Sequence, residues 1–79
     1  MRIQLDLKGE LEDELSETIA SNFTVAEGVT LEDMLKKLPF VDRVVLTSVN
    51  GTVIARSDRA SLVLNESDKV TLLPAIKGG

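Results

Sequence analysis

The chain has 79 residues and a formal net charge of −4 at pH 7, and it contains neither cysteine nor histidine. This length allows one small domain, which we place at residues 1–79 with a flexible C-terminal tail at 75–79. The missing residue types exclude disulfides, thiolate metal sites and Ser-His or Cys-His nucleophilic catalysis, and the acidic balance argues against nucleic-acid binding, which needs a basic face.

The sequence gives no sign of a membrane segment or a secretion signal. No apolar run approaches the roughly 20 residues that span a bilayer. The first residues alternate polar and apolar side chains, where a signal peptide would have a continuous apolar core. We therefore expect a cytoplasmic protein that has no membrane partner.

Alternation of polar and apolar residues over positions 2–8 predicts a first strand with one buried face. Gly9 is expected to open a turn. The acidic segment after it is ambiguous, because Leu11 and Leu15 have the spacing of a short helical turn but the segment also fits an extended loop. Residues 10–20 therefore stay open between helix, loop and strand.

A weaker strand signal precedes the main helix. Ile19, Phe23 and Val25 favour extended structure, and they predict a second strand over Thr18–Val25 that pairs back on the first.

The clearest helix signal covers residues 30–38. Thr30 stands at the N-cap position with Asp33 three residues later, as in a capping box, and Val29 and Met34 occupy the positions of a hydrophobic staple. Pro39 ends the helix because the residue before a proline is pushed out of the α region. One apolar stripe at helical spacing is expected to face the core: Leu31, Met34, Leu35 and Leu38.

A β-hairpin is predicted after the helix. Val44–Val49 is rich in β-branched residues, Asn50-Gly51 is the strongest two-residue hairpin signal, and Thr52–Ile54 is the returning strand. We assign Asn50 and Gly51 to the turn alone.

The remaining residues predict a loop, a strand and a tail. Residues 56–67 are loop-like, with a short apolar patch at 62–64, and Asp68–Leu73 is the last strand. Pro74 has no N–H, so it ends the pairing or marks a sheet edge. Residues 75–79 can extend about 17 Å beyond it.

The element order β-β-α-β-β-β predicts an α+β protein in which the first and last strands are central and parallel. This order fits a β-grasp (ubiquitin-like) fold, a mixed sheet of four to five strands packed on one main helix. A ferredoxin-like fold is the alternative, but only residues 10–20 could supply its second helix.

The last two residues, Gly78 and Gly79, are the strongest functional signal. Glycine has no Cβ, so a terminal pair forms a thin, flexible tail that ends in a carboxylate. Such a tail can thread into the active site of another protein and present its carboxylate to ATP, which makes the chain itself a candidate substrate. The alternative is an ordinary frayed terminus.

Three blocks carry a family resemblance: residues 28–38 at the start of the helix, residues 49–54 around the hairpin, and residues 68–79, which close on Gly-Gly. In this order and spacing they resemble the ubiquitin-like sulfur carriers, namely the thiamine-biosynthesis sulfur carrier and the small subunit of molybdopterin synthase. The first 27 residues match poorly beyond an opening strand. One proline near the tail, where many molybdopterin-synthase small subunits have two, and Lys77 before the glycines leave the pathway open.

The resemblance implies a mechanism in which partner proteins do the chemistry. In these families a ubiquitin-activating-type adenylyltransferase uses ATP and magnesium to adenylate the terminal glycine. Sulfur from the persulfide of a donor protein then replaces AMP and leaves a thiocarboxylate, which a thiazole synthase or the large subunit of molybdopterin synthase consumes. Carried over to this chain, Gly79 holds the sulfur, Gly78 gives the slim approach, and the protein is a carrier without a bound cofactor, not an enzyme.

Leu73, Ile76 and Lys77 are the candidate partner contacts. If Val70 and Leu72 face the helix, Leu73 points the other way. Ordinary core packing of Leu73 is an equal alternative, and Lys77 is most simply a surface lysine.

The other charged groups are interpreted as solvated. Hard-cation sites need several converging oxygens, and nothing in the sequence fixes such a geometry, so no metal site is predicted. The acidic cluster consists of Glu10, Glu12, Asp13, Glu14 and Glu17. Arg56, Asp58 and Arg59 are assigned to a solvent-exposed loop in preference to a partner surface.

Two other functions use the same fold. A ubiquitin-like modifier, joined through its terminal glycine to lysines of target proteins, needs the same Gly-Gly, so only lysine conjugates in cells separate it from a carrier. A plain interaction domain would tolerate the loss of Gly78 and Gly79.

Overall fold

The structure is a computed structural model that describes residues 1–75. The predicted tail positions Ile76, Lys77, Gly78 and Gly79 therefore lie outside the described residues. In the part that is described, no helix is long and apolar enough to cross a membrane.

Five strands and two short α-helices follow one another in residues 1–75. The strands are β1 (Arg2–Leu7), β2 (Phe23–Thr24), β3 (Val44–Val49), β4 (Thr52–Ile54) and β5 (Lys69–Pro74). The helices are α1 (Glu17–Ser21) and α2 (Leu31–Lys36), and single 3₁₀ turns cover Gly9–Leu11, Val41–Arg43 and Arg56–Asp58.

The strands form one mixed sheet in the order β2-β1-β5-β3-β4. Strands β1 and β5 are parallel neighbours at its centre, whereas β2, β3 and β4 pair with their neighbours in antiparallel fashion. The predicted central, parallel first and last strands are confirmed, and with α2 across one face the architecture is the predicted α+β β-grasp fold.

The core lies between α2 and one face of the sheet. Alternate residues of β1 are buried, Val70 and Leu72 of β5 are fully buried, and Leu46 and Val53 on other strands are exposed. The predicted helix stripe is confirmed for Leu31, Met34 and Leu35, which are buried on α2, and Leu38 is also buried but lies beyond the end of the helix at Lys36.

The start of α2 has a partner for each of its first three backbone N–H groups. Leu31 donates to the carbonyl of Leu62 at 2.8 Å and Glu32 to that of Arg59 at 3.0 Å, while Asp33 donates to Thr30 Oγ1 at 3.1 Å. The predicted Thr30 cap is confirmed. The loop before β5 is thereby fastened to the helix and does not hang free in solvent.

The predicted second strand pairs back on β1 as expected, but its predicted bounds, Thr18–Val25, are too wide. Its first part is the helix α1, because Ser16 Oγ accepts a hydrogen bond from Ile19 N at 3.2 Å and caps that helix. Only Phe23–Thr24 pairs with β1. The open question of residues 10–20 is resolved as a 3₁₀ turn followed by α1, and this five-residue helix is shorter than the second helix of a ferredoxin-like fold.

The Asn50-Gly51 turn is confirmed and has a second role. Both residues have positive φ, 51° and 88°, as a two-residue hairpin turn with this sequence requires. In addition, Asn50 Nδ2 donates to Asp68 Oδ1, and Lys69 N donates to Asn50 Oδ1, each at 2.9 Å. The turn therefore also fixes the beginning of β5.

Candidate functional site

The end of β5 is held between two other segments of the chain. We call residues 73–75 the tail root. Pro74 pairs with Val44 on β3. On its other side it contacts the turn at Gly9, whose φ is 54°, and a Cβ added to Gly9 would lie 3.2 Å from Pro74 Cγ. Because Gly9 has no Cβ, the turn can approach Pro74 closely, whereas a larger residue at position 9 would obstruct this contact.

The outer face of the sheet, opposite α2, carries exposed apolar side chains beside the tail root. Val70 and Leu72 are fully buried, so the alternation of the strand places Leu73 on the outer face, where it is half-buried. Its cross-strand neighbour Leu46 is 50% exposed and Val53 is 69% exposed. We call Leu46, Val53 and Leu73 the apolar patch.

Leu73 is therefore not part of the buried core, and the expectation that it points away from α2 agrees with its position. Its contact with a partner stays a prediction. The other two predicted contacts, Ile76 and Lys77, and the predicted sulfur-carrying end, Gly78 and Gly79, lie outside the described residues.

A β-bulge in β3 lies directly before the pair that Leu46 forms with Leu73. Val44 pairs with Pro74 and Leu46 with Leu73, so Val45 is the extra residue on the bulged strand. The pairing from Leu46 to Val49 is regular, so Leu46 lies on the outer face with Leu73, and the extra residue lets Val44 lie on the core side, where it is buried.

Arg59 fixes this bulge from inside the protein. Its Nη2 donates to the carbonyl of Val45 at 3.0 Å, and its Nε donates to Thr47 Oγ1 at 3.3 Å. Thr47 is fully buried and Arg59 is only 8% exposed. The assignment of Arg59 to a solvent-exposed loop is wrong, whereas Arg56 and Asp58 are exposed as expected. A lone arginine in a polar stretch gives no pattern from which this burial could have been predicted.

A cavity of about 320 Å³ opens beside Arg59, between α2 and the start of β3. Burial, together with the nearby charge of Arg56, lowers the pKa of Arg59, while Glu32 raises it. The guanidinium nevertheless stays protonated at neutral pH. The polar residues that line the cavity are Glu32, Lys36, Asp42, Arg56 and Arg59.

A larger cavity of about 630 Å³ runs along β1 and α1. It lies on the other side of β5 from the bulge, and neither the tail root nor the apolar patch lines it. We therefore place the candidate site at the tail root and not at this cavity.

The acidic cluster is a set of surface carboxylates. Within residues 1–75 no group of three or more potential metal ligands comes together. Glu14 forms an ion pair with Arg43, and Asp6 on β1 lies 3.2 Å from Lys8 Nζ and 3.8 Å from Lys69 Nζ.

These features define a ubiquitin-like β-grasp domain whose chain leaves the sheet from a central strand, beside an exposed apolar patch. The family model described as the ThiS family matches residues 9–79. The chain belongs to the ThiS family. The match begins at residue 9, so it includes most of the N-terminal part in which the resemblance was weakest. The comparison with curated proteins gives no match.

Membership in the ThiS family supports a general role as a sulfur carrier protein. Proteins of this family are small carriers and not catalysts, and they interact in general terms with activating enzymes and synthases. The resemblance found in the sequence is confirmed at this level.

Proposed function

We propose that this protein is a sulfur carrier whose Gly79 carboxylate is adenylated and then converted into a thiocarboxylate. The sulfur is delivered in the biosynthesis of thiamine or of molybdopterin, the organic part of the molybdenum or tungsten cofactor. The observation that carries the proposal is the match of the ThiS family model through residue 79.

The chemistry explains why the carboxylate needs a partner. A carboxylate is a poor acyl donor because its oxygen is a poor leaving group. A Gly79 oxygen attacks the α-phosphorus of ATP, and pyrophosphate leaves with the magnesium ion that the activating enzyme supplies. The outer sulfur of a donor persulfide attacks the acyl carbon and AMP leaves. A thiol then reduces the acyl disulfide to the thiocarboxylate.

None of these steps needs a catalytic group of the carrier itself. The chain has no histidine and no cysteine, so general-base and persulfide chemistry belong to partners. We propose a ubiquitin-activating-type adenylyltransferase, a sulfur donor protein, and either a thiazole synthase or the large subunit of molybdopterin synthase as those partners.

What the described residues contribute is a docking base for the tail. Leu73 and Leu46 are cross-strand neighbours with exposed apolar surface at the point where the chain leaves the sheet. Covering such surface contributes about 25 cal/mol per Å². Docking here places the residues after Ala75 at the entrance of a partner's active site, and the missing side chain of Gly78 lets them enter a narrow channel.

The test is the intact mass of the protein after incubation with a ubiquitin-activating-type enzyme of the same organism, ATP, magnesium and a sulfur donor. We expect a gain that matches one oxygen replaced by one sulfur, and we expect its complete loss when Gly79 is deleted. An unchanged mass without any adenylate would contradict the proposal and favour a plain interaction domain. Lysine-linked conjugates in cells would instead favour a protein modifier.

A further inference from the structure

The cavity beside the bulge contains a largely buried cation that forms no ion pair within residues 1–75, although Glu32 in the cavity lining is close enough to raise its pKa. Arg59 is 8% exposed, and none of the ion pairs in residues 1–75 includes it. Its two hydrogen bonds go to the neutral oxygens of Val45 and Thr47. A guanidinium has five N–H donors, so donors remain for a further acceptor, and Arg59 lines the cavity.

The charges around the cavity strengthen its attraction for an anion. Arg56 and Lys36 join Arg59 in the lining, against the carboxylates of Glu32 and Asp42. The cavity is therefore locally positive on a chain whose net charge is −4. Burying a charge is unfavourable unless it is paired, and a carboxylate is the partner that a guanidinium fits best, often through two parallel hydrogen bonds.

The cavity lies at the same end of the sheet as the tail root. Val44 lines the cavity and pairs with Pro74. Neighbouring strands lie about 4.8 Å apart, so a protein that holds the tail root is also within side-chain reach of the cavity.

We propose that this cavity receives the carboxylate of an Asp or Glu side chain of the adenylating partner. In this arrangement Arg59 is the buried anchor, and Arg56 and Lys36 attract the carboxylate at the rim. The inference rests on the proposed function, because it names the enzyme that activates the tail as the occupant. A single carboxylate fits better than a phosphate dianion, because Glu32 and Asp42 in the lining repel the second charge more strongly.

The test measures the steady-state kinetics of pyrophosphate release by the adenylating enzyme as the concentration of carrier is varied. We expect Arg56→Glu and Lys36→Glu each to raise the KM for the carrier about tenfold and to leave kcat unchanged, since they weaken docking and not chemistry. Lys37→Glu is the matched control, because Lys37 is exposed on the same helix end but does not line the cavity. We expect the KM of the unaltered carrier to rise with salt, and that of Arg56→Glu to rise less.

Arg59 itself also holds the bulge, so its substitution would affect folding as well as docking. The inference is therefore tested with the variants Arg56→Glu and Lys36→Glu. If Arg56→Glu and Lys36→Glu have the KM of Lys37→Glu while the unaltered carrier is adenylated normally, the inference is overturned and the proposed function stands. If the unaltered carrier is not adenylated at all, both fail. A second experiment titrates inorganic phosphate into the free carrier and follows its NMR spectra. Saturable shifts confined to Arg59 and its neighbours would identify a phosphate site and would contradict the proposal that a carboxylate occupies the cavity.

Discussion

The two faces of the sheet beside the tail root are opposite in character. On the inner face, where a small domain normally places aliphatic side chains, Arg59 and Thr47 are buried and hydrogen-bonded to each other. On the outer face, where polar side chains are usual, Leu46 is exposed next to Leu73, and Val53 is exposed on the following strand β4. Buried polar groups here support the strand that carries exposed apolar ones, because Arg59 holds Val45 and Thr47, the two residues on either side of Leu46.

The largest effect on stability should come from substituting Arg59, which holds the bulge from the inner face. Arg59→Met keeps most of the side-chain volume but leaves the Val45 carbonyl and the Thr47 hydroxyl without their donor. We expect a loss of about 2 kcal/mol in the free energy of unfolding, measured by urea denaturation. Arg56→Met is the control, because Arg56 is exposed. Equal stability of the two variants would show that the inner face does not support the bulge.

A smaller effect, measured on docking, is expected from the outer face. Leu73→Ser removes half-buried apolar surface at the tail root, so we expect the KM for the carrier in the adenylation assay to rise about tenfold, which corresponds to about 1.4 kcal/mol. Ile19→Ser is the matched control, since Ile19 is 54% exposed on α1. Similar KM values for Leu73→Ser and Ile19→Ser would show that the apolar patch is not part of the docking surface.

The smallest effect should come from substituting Thr47, whose hydroxyl lies between Arg59 and the Ile54 carbonyl. Thr47→Val preserves shape but removes the oxygen that accepts from Arg59 Nε, and the hydroxyl that donates to the Ile54 carbonyl at 3.4 Å. We expect a loss of about 1 kcal/mol, again by urea denaturation. The double variant Thr47→Val with Arg59→Met tests whether the two residues act together. If its loss in the free energy of unfolding equals the sum of the two single losses, the residues act independently and do not support β3 as a pair.

The parts of the fold that the sequence predicts well are those whose signals are local. Thr30 caps α2 by accepting a hydrogen bond from the backbone N–H of Asp33, three residues later, and Asn50 and Gly51 have the positive φ values of the hairpin turn that this dipeptide predicts. Amphipathic alternation likewise identifies β1 and β5. Such signals depend only on residues that lie close together along the chain.

The segment before α2 and the candidate site depend on contacts between distant residues. Phe23 and Thr24 are extended only where β1 pairs with them, and the residues before them form a helix under the Ser16 cap. Arg59 acts on oxygens 12 and 14 positions away along the chain. Neither the bulge nor this burial has a periodicity, so only the tail and Leu73 could be selected as site residues from the sequence.

The central position of β5 has a mechanical consequence for a force applied at the tail root. β5 pairs with β1 on one side, from Lys69 to Leu72, and with β3 on the other, from Val70 to Pro74. Asn50 and Asp68 tie its beginning, far from the tail root. A pull on Ala75 along the strand loads both ladders of hydrogen bonds together in shear, whereas an edge strand would have only one ladder to resist the same pull. The strand that leads into the tail is therefore among the parts of the described fold that are hardest to pull out.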